Sequence, residues 1–323
     1  MEIHKFNPFP SGFLNFIDVF SHSLMRPWRI SLDQSLSCFS PTTKEWKKPH
    51  AFMLSSLLTF PICSFLFIVL APIGITGLFL WILICKSRSN FRISVSDTTS
   101  VSKDFIKEND NYMQGSISED MNIATFKTAP FTSTQKSFGF ASLNVCFLQE
   151  IISRYNNLSH TGQRADQIGK LLLENQQKFS NNSVTNGRDT HDTQKKLNGG
   201  CSNKENSNGL TSDEVRKTHS GNVNEEDFEM DVTVCSEFPN TDFLVFQETW
   251  DNKLAETMMS HLHRVYPYIV YDAGERGLLE NGYCNNSALM IASKFPFLEV
   301  QFHLYPHRYS QDVLSAKGLL QVK

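Results

Sequence analysis

The stretch DFLVFQETW, Asp242 to Trp250, sets a carboxylate directly after a run of apolar residues. Phe243 to Phe246 read as a strand buried on both faces, with Glu248 at its mouth. Asn144 is out of place in the same way, inside SFGFASLNVCFL, Ser137 to Leu148, which suits an inner strand. An unpaired buried amide would cost on the order of 1 to 3 kcal/mol, and a lone carboxylate more. A structural hydrogen bond would satisfy the first and a salt bridge the second. Taken together, one carboxylate and one amide at strand ends suit a magnesium and phosphate site. Mg2+ takes hard oxygen ligands, often one or two carboxylates, and keeps several waters. An amide can donate to a phosphate oxygen whose charge the metal partly neutralises. Asn286, before SALMIAS, is another polar residue near a strand end. Asp312 and Lys317, on either side of VLSA, form a loop-locking ion pair or are two solvated loop charges.

The elements that must position these groups are unevenly spread. Phe13, Phe16, Ile17, Phe20 and Leu24 recur at helical spacing, which predicts an amphipathic helix over 12–26, stopped by Pro27 and lying in a membrane interface. From Ala51 to Cys85 there is no charged residue, and the segment exceeds the roughly 20 residues one spanning helix needs. Lys44, Lys47 and Lys48 precede it, and Lys86, Arg88 and Arg92 follow it. Basic residues on both sides favour a re-entrant hairpin over 51–85, bent near APIGITG, above a single span. Lys44, Lys47, Lys48, Lys86 and Arg88 form a candidate site for anionic lipid head groups, or act only as orientation signals.

Residues 1–95 thus read as a membrane-associated region and 96–133 as a polar connector. Strand and helix patterns fill 134–179 and 232–323, an α/β domain. Between them, 180–231 is almost without apolar residues and is expected to be a disordered insertion. A net charge of -3 and pI near 6.4 argue against a nucleic-acid-coating protein. The seven cysteines are scattered and odd in number, which fits a reducing compartment and shows neither a disulfide framework nor zinc spacing.

NPFPSGFLN, PTTKEWKKP, SFGFASLNVCFL, FLVFQETWDNKLAETM, YPYIVYDAG, NSALMIASKFP and LSAKGLL, in this order, resemble the neutral, N-terminally membrane-anchored sphingomyelin phosphodiesterases. FQE alone marks only the wider endonuclease/exonuclease/phosphatase superfamily, similar to DNase I. The resemblance implies a DNase I-like αββα sandwich that hydrolyses sphingomyelin to ceramide and phosphocholine with Mg2+. It implies that Glu248 binds the metal, that Asn144 serves the phosphate site, and that Asp312 and Lys317 lie in a loop beside the catalytic centre. It also implies activation by anionic phospholipid and N-terminal segments that enter the membrane without crossing it. The catalytic domain would face the cytoplasm at the Golgi or plasma membrane, with no nucleic acid as partner. The family's later histidine, Asp-x-Asn and Asp-His stretches do not follow Lys323. The expectation is therefore an incomplete sandwich, one sheet missing and an apolar face without a partner. Such a chain is expected to be inactive alone, or to serve as a non-catalytic membrane-anchored regulatory or binding fragment.

Overall fold

A computed structural model describes residues 1–9, 11–109, 123–126, 137–185, 241–274, 285–307 and 315–323. Strand β1 (Ile3–Lys5) leads into helix α1 (Gly12–Ser37), the short α2 (Thr43–Trp46) and the long α3 (Pro49–Ile84). After a 3-10 turn come β2 (Arg92–Ser96), α4 (Ser100–Asn109) and β3 (Ile123–Thr125). Then follow β4 (Phe140–Asn144), α5 (Glu150–Tyr155), α6 (Thr161–Thr185), β5 (Phe243–Gln247) and α7 (Asn252–Leu262). The described chain closes with β6 (Tyr268–Tyr271), β7 (Met290–Ser293), β8 (Glu299–Leu304) and β9 (Gly318–Val322).

The apolar N-terminal region differs from the expected re-entrant hairpin. α3 runs unbroken through Pro61 and Pro72, and α1 runs through Pro27 to Ser37. A hairpin does exist, but α1 and α3 form it together, folded back at 38–48. Trp28 of α1 stacks on Phe67 of α3 at 5.5 Å, and Phe39 meets Phe60 edge-on at 4.9 Å. Gly74 and Gly77 act as notches rather than a bend: a Cβ at Gly74 would lie 2.6 Å from the Trp28 ring, and one at Gly77 2.7 Å from the Ser21 carbonyl. A proline costs one backbone hydrogen bond, and this packing offsets that loss. Phe13, Phe16 and Val19 on α1, with Leu57, Phe65, Ile68 and Phe79 on α3, remain exposed on the outside of the pair. By length and composition α3 can cross a membrane.

The notch makes a testable statement. Ser35 and Ser64 approach to 3.4 Å between hydroxyl oxygens. A Ser35→Cys/Ser64→Cys pair, with Cys38 and Cys63 replaced by serine, should oxidise to a disulfide. Gly74→Leu should prevent that bridge by driving the helices apart, and a bridge that forms equally well would show that the notch is unnecessary.

The expected membrane-associated region contributes β1 and β2 to the α/β fold, and the expected connector contains α4 and β3. β1 and β2 form one end of a six-stranded sheet in the order β1-β2-β6-β7-β5-β4, in which β4 pairs parallel to β5 and the other neighbours pair antiparallel. Phe91, Ile93, Val95, Phe105 and Ile106 are buried with Phe126, because alternation within RISVS and helical spacing in α4 both point inward. The stretch expected to be disordered lies outside the described residues except at its start, where α6 continues to Thr185.

Two cores lie on either side of this sheet. On one face, Leu244, Phe246, Ile269, Tyr271, Met290 and Ala292 pack against α6 and α7 through Ile168, Leu172, Met258 and Leu262. On the other, Tyr268, Val270 and Ile291 meet Val300, Phe302 and Leu320 from a three-stranded sheet, β3-β8-β9. The alternation of residues 268–271 between the two cores is the period of two expected of strands covered on both sides. Against expectation, a second sheet is therefore present over β2, β6 and β7. Next to it, Phe140 of β4 is 67% exposed and stacks on Phe243 of β5 at 4.7 Å.

His263, at the end of α7, is buried between these layers, with Nε2 2.8 Å from Ser94 Oγ and its carbonyl accepting from Ser96 Oγ. Desolvation lowers its pKa to about 4 from the ordinary 6.5. The unfolded chain therefore binds a proton below pH 6.5 that the folded chain refuses until about pH 4. Stability should be full above pH 6.5 and fall as pH drops through that window, by on the order of 3 kcal/mol. His263→Gln should flatten this slope in thermal unfolding between pH 4 and 7, and an unchanged slope would remove His263 as its source.

Candidate active site

β4 and β5 run parallel, so their C-terminal ends lie side by side, with Asn144 opposite Gln247 in register. Asn144 ends its strand, and Glu248 follows β5 in a left-handed conformation with φ 60°. That conformation is uncommon for a residue with a Cβ and turns the side chain away from the strand's path. The two groups meet: Asn144 Nδ2 donates to a Glu248 carboxylate oxygen at 2.7 Å. Asn144 Oδ1 in turn accepts from the Cys146 backbone N–H at 3.2 Å, which fixes the amide's orientation.

The burial expected of these groups is not what the structure shows. β4 is the last strand of its sheet among the described residues, and Asn144 is exposed at its tip while Glu248 is half-buried. Phe243 and Val245 are also only half-buried. The strands bury their helix-facing residues, Leu244 and Phe246, and leave the Asn144 face open at this end. The partner each polar group needs is the other one.

Backbone contacts hold the turns that carry them. Phe147 N donates to Glu248 O at 2.8 Å and Asp251 N to Phe147 O at 2.9 Å. Thr249 donates through both its backbone N–H and its hydroxyl to Ala288 O, each at 3.0 Å. Asp251 caps α7 by accepting from Lys253 N and Leu254 N. Asn286 is buried and accepts from Ala288 N at 3.0 Å while donating to Asp272 at 3.0 Å.

Cys146 and Arg164 are neighbours that sequence reasoning missed. Arg164, in the first turn of α6, is buried and donates through Nη2 to the Cys146 carbonyl at 2.5 Å. Burial, and then the Glu248 charge, push the Cys146 thiol pKa up, so it stays a neutral thiol beside the carboxylate. An arginine followed by Ala165 and Ile168 reads as the polar face of an amphipathic helix, so nothing in the sequence marks its burial.

Of the other candidates, Lys317 immediately precedes β9 with its ammonium over the Trp250 ring, 4.4 Å from the centroid. Asp312 lies outside the described residues. Lys47, Lys48 and Lys86 are exposed and Lys44 lies in α2. They do not form one cluster, because α3, at 1.5 Å per residue, puts about 54 Å between its two ends. Arg88 is a correction: it is buried and paired with Asp272, so its charge is neutralised inside the fold rather than offered to head groups.

The chemistry available is that of a hard anionic oxygen beside an oriented amide. Glu248 is held by a neutral donor, and among the described residues no ion pair compensates its charge. Those residues hold no group of three or more His, Cys, Asp or Glu that could cage a metal. This donor set fits Mg2+, which accepts one carboxylate and completes its shell with water and phosphate oxygens.

Comparison with known proteins finds similar chains. Sphingomyelin phosphodiesterase 5 of Danio rerio is 26% identical over 358 residues, 98% of this chain and 61% of the relative. Its Mus musculus counterpart is 25% identical over 323 residues, 98% of this chain and 54% of the relative. Sphingomyelin phosphodiesterase 3 of Homo sapiens is 36% identical over 114 residues, 34% of this chain and 17% of the relative. The chain is thus similar to sphingomyelin phosphodiesterases 5 and 3, as its motifs implied. It spans 61% or less of the length of these relatives. No family model matches it. Among solved structures, a β-hairpin deletion mutant of beta toxin from Staphylococcus aureus aligns over 58% of this chain and 46% of that one, at 16% identity and a TM-score of 0.33. A double mutant of the same toxin with bound magnesium ions aligns over 26% of this chain and 31% of that one, at 23% identity and a TM-score of 0.23.

Proposed function

We propose that these residues form the membrane-anchoring and metal-binding part of a DNase I-like sphingomyelin phosphodiesterase, which releases phosphocholine and leaves ceramide in the bilayer. The observation that carries the reading is the 2.7 Å contact of Asn144 with Glu248 at the ends of adjacent parallel strands, in a homologue of enzymes of that name. Bound Mg2+ would polarise the phosphodiester and neutralise charge developing on it. Glu248 would hold the ion. Asn144, oriented by the Cys146 N–H, has a second amide hydrogen for a phosphate oxygen. Water attack on phosphorus breaks the bond to the ceramide oxygen, which must take up a proton as it leaves. The attacking water needs a general base, and neither Glu248 nor Asn144 is assigned that role.

The outer faces of α1 and α3 would sit in the bilayer and keep the site at the membrane's cytoplasmic side, at the Golgi or plasma membrane. Anionic phospholipid would engage Lys44, Lys47 and Lys48 at one end of α3, and Lys86 at the other. Lys317 and Asp312 would belong to the loop beside the site.

The test is phosphocholine release from sphingomyelin vesicles by this chain and by the longest reading frame that contains it, with Mg2+ or with a chelator. Release by the longer form that chelation abolishes is expected. Release that survives chelation would sink the metal assignment, and no release by either form would leave a non-catalytic membrane-anchored binding role.

A further inference from the structure

Arg164, in the first turn of α6, is 6% exposed, yet of its guanidinium nitrogens Nη2 alone finds an acceptor, the Cys146 carbonyl at 2.5 Å. Nε and Nη1 are buried with no hydrogen-bond partner among the described residues. Glu150, the carboxylate whose charge Arg164 feels, is already taken by the His160 and Thr161 N–H groups and by Arg154. A buried cation with unused donors weighs against folding, so packing alone gives no reason to keep it. What it holds is a strained turn. Cys146 stands at φ 50°, a left-handed conformation that is unfavourable for a residue with a Cβ. Val145 N and Phe147 N donate to Gln247 O and Glu248 O, but Cys146 makes no backbone-to-backbone hydrogen bond among the described residues. Its carbonyl accepts from Arg164 and its N–H donates to Asn144 Oδ1 at 3.2 Å, so a single residue joins the arginine to the amide. Its thiol feels the charges of both Arg164 and Glu248, which makes these groups close neighbours. The two ends of an amide are alike in shape and opposite in polarity. With the Cys146 N–H on Oδ1, Nδ2 faces Glu248 and donates at 2.7 Å; a flipped amide would set an oxygen against the carboxylate.

We propose that Arg164 is a positioning residue for the Asn144 and Glu248 pair: its clamp on the Cys146 carbonyl holds the turn whose N–H decides which end of the Asn144 amide faces the carboxylate. The inference deepens the function proposed above and rests on it, since it takes Glu248 as the metal ligand and Asn144 as the phosphate donor. Arg164 acts on them only through Cys146. Without the clamp, Cys146 is free to leave its left-handed conformation, the amide rotates, and Glu248 loses the neutral donor that points its carboxylate. The arginine is thus kept for alignment rather than for stability. Arg164→Met should fold with its thermal midpoint unchanged or raised, because an apolar side chain of similar length replaces an unpaired buried cation. A large fall would mark a structural arginine and overturn the proposal.

Hydrogen exchange at the Cys146 amide, in the full chain in detergent, tests the clamp without metal or turnover. Exchange should be about tenfold faster in Arg164→Met, the protection of roughly one hydrogen bond, and similarly faster in Asn144→Ala, which removes the acceptor. The two changes together should exchange no faster than either alone, because they break the same link. Arg164→Lys keeps the charge but not the planar fork, and should fall between wild type and Arg164→Met. Exchange that Arg164→Met leaves unchanged, additive effects in the double variant, or wild-type exchange in Arg164→Lys would each overturn the proposal. The rise in thermal midpoint with Mg2+ is the second readout, and should shrink from wild type to Arg164→Lys to Arg164→Met. A full Mg2+ response in Arg164→Met would also overturn the positioning role. A wild-type chain indifferent to Mg2+, with the exchange series as expected, would strike the metal reading of Glu248 alone and leave the clamp standing.

Discussion

Arg88→Met should destabilise the protein by about 3 to 5 kcal/mol, the cost of leaving one member of a buried ion pair behind. The Arg88 side chain is 2% exposed and that of its partner Asp272 is 0%. Arg92 Nε lies 3.2 Å from the same carboxylate as an ion-pair contact, and Arg92 Nη2 donates to Asp18 of α1 at 2.9 Å. Three parts of the chain thus meet at one charge: α1, the segment after α3, and the end of β6. Arg92 remains in the variant but must serve two carboxylates, so it compensates only in part. The network also extends toward the site, because Asp272 accepts from Asn286, which holds Ala288, the residue on which Thr249 is seated. Thermal unfolding in detergent should show a large drop for Arg88→Met and for Asp272→Asn. The double variant should be less destabilised than the sum, since the second change removes the charge the first one stranded. Strict additivity would mean that the pair contributes no coupling.

How far the sequence exposed this architecture depended on whether a residue's partner was local. The β5 pattern is set by neighbours a few positions away, and the structure has that strand where expected. The pairing of Asn144 with Glu248 was legible only as a demand that each polar group find a partner. The parallel register of β4 and β5, across 104 positions, supplies it. Pro61, Pro72, Gly74 and Gly77 were misread because local rules treat proline and glycine as breakers. Here α1 packs against the two glycines, so a glycine facing Trp28 is a contact surface, while both prolines lie on the exposed side of an unbroken helix. Arg88 was misread for the same reason: in sequence it is a basic flank, and only the position of Asp272, 184 residues away, makes it internal. Phe91 to Val95 fell within the expected membrane-associated region because a short strand next to a long apolar segment has no local signal of its own, and its burial comes from β6 and the second sheet.

Glu248→Gln should abolish metal-dependent turnover in the longest reading frame that contains this site, by roughly two to four orders of magnitude, the rate equivalent of several kcal/mol of metal-derived stabilisation. The substitution keeps shape and size but removes the charge that makes the oxygen a magnesium ligand. A binding readout separates this from loss of folding. Mg2+ should raise the thermal midpoint of the wild-type chain, because a ligand that binds only the folded state stabilises it, and should leave Glu248→Gln unmoved. Glu248→Gly sharpens the distinction. The residue sits at φ 60°, where glycine bears no Cβ penalty, so that variant should hold its stability within about 1 kcal/mol or gain slightly while losing the metal response. A residue kept in a left-handed conformation that glycine would occupy more cheaply is retained for its side chain. If Glu248→Gly were strongly destabilised instead, the carboxylate would be structural, holding Asn144 in place, and the metal would have to bind elsewhere.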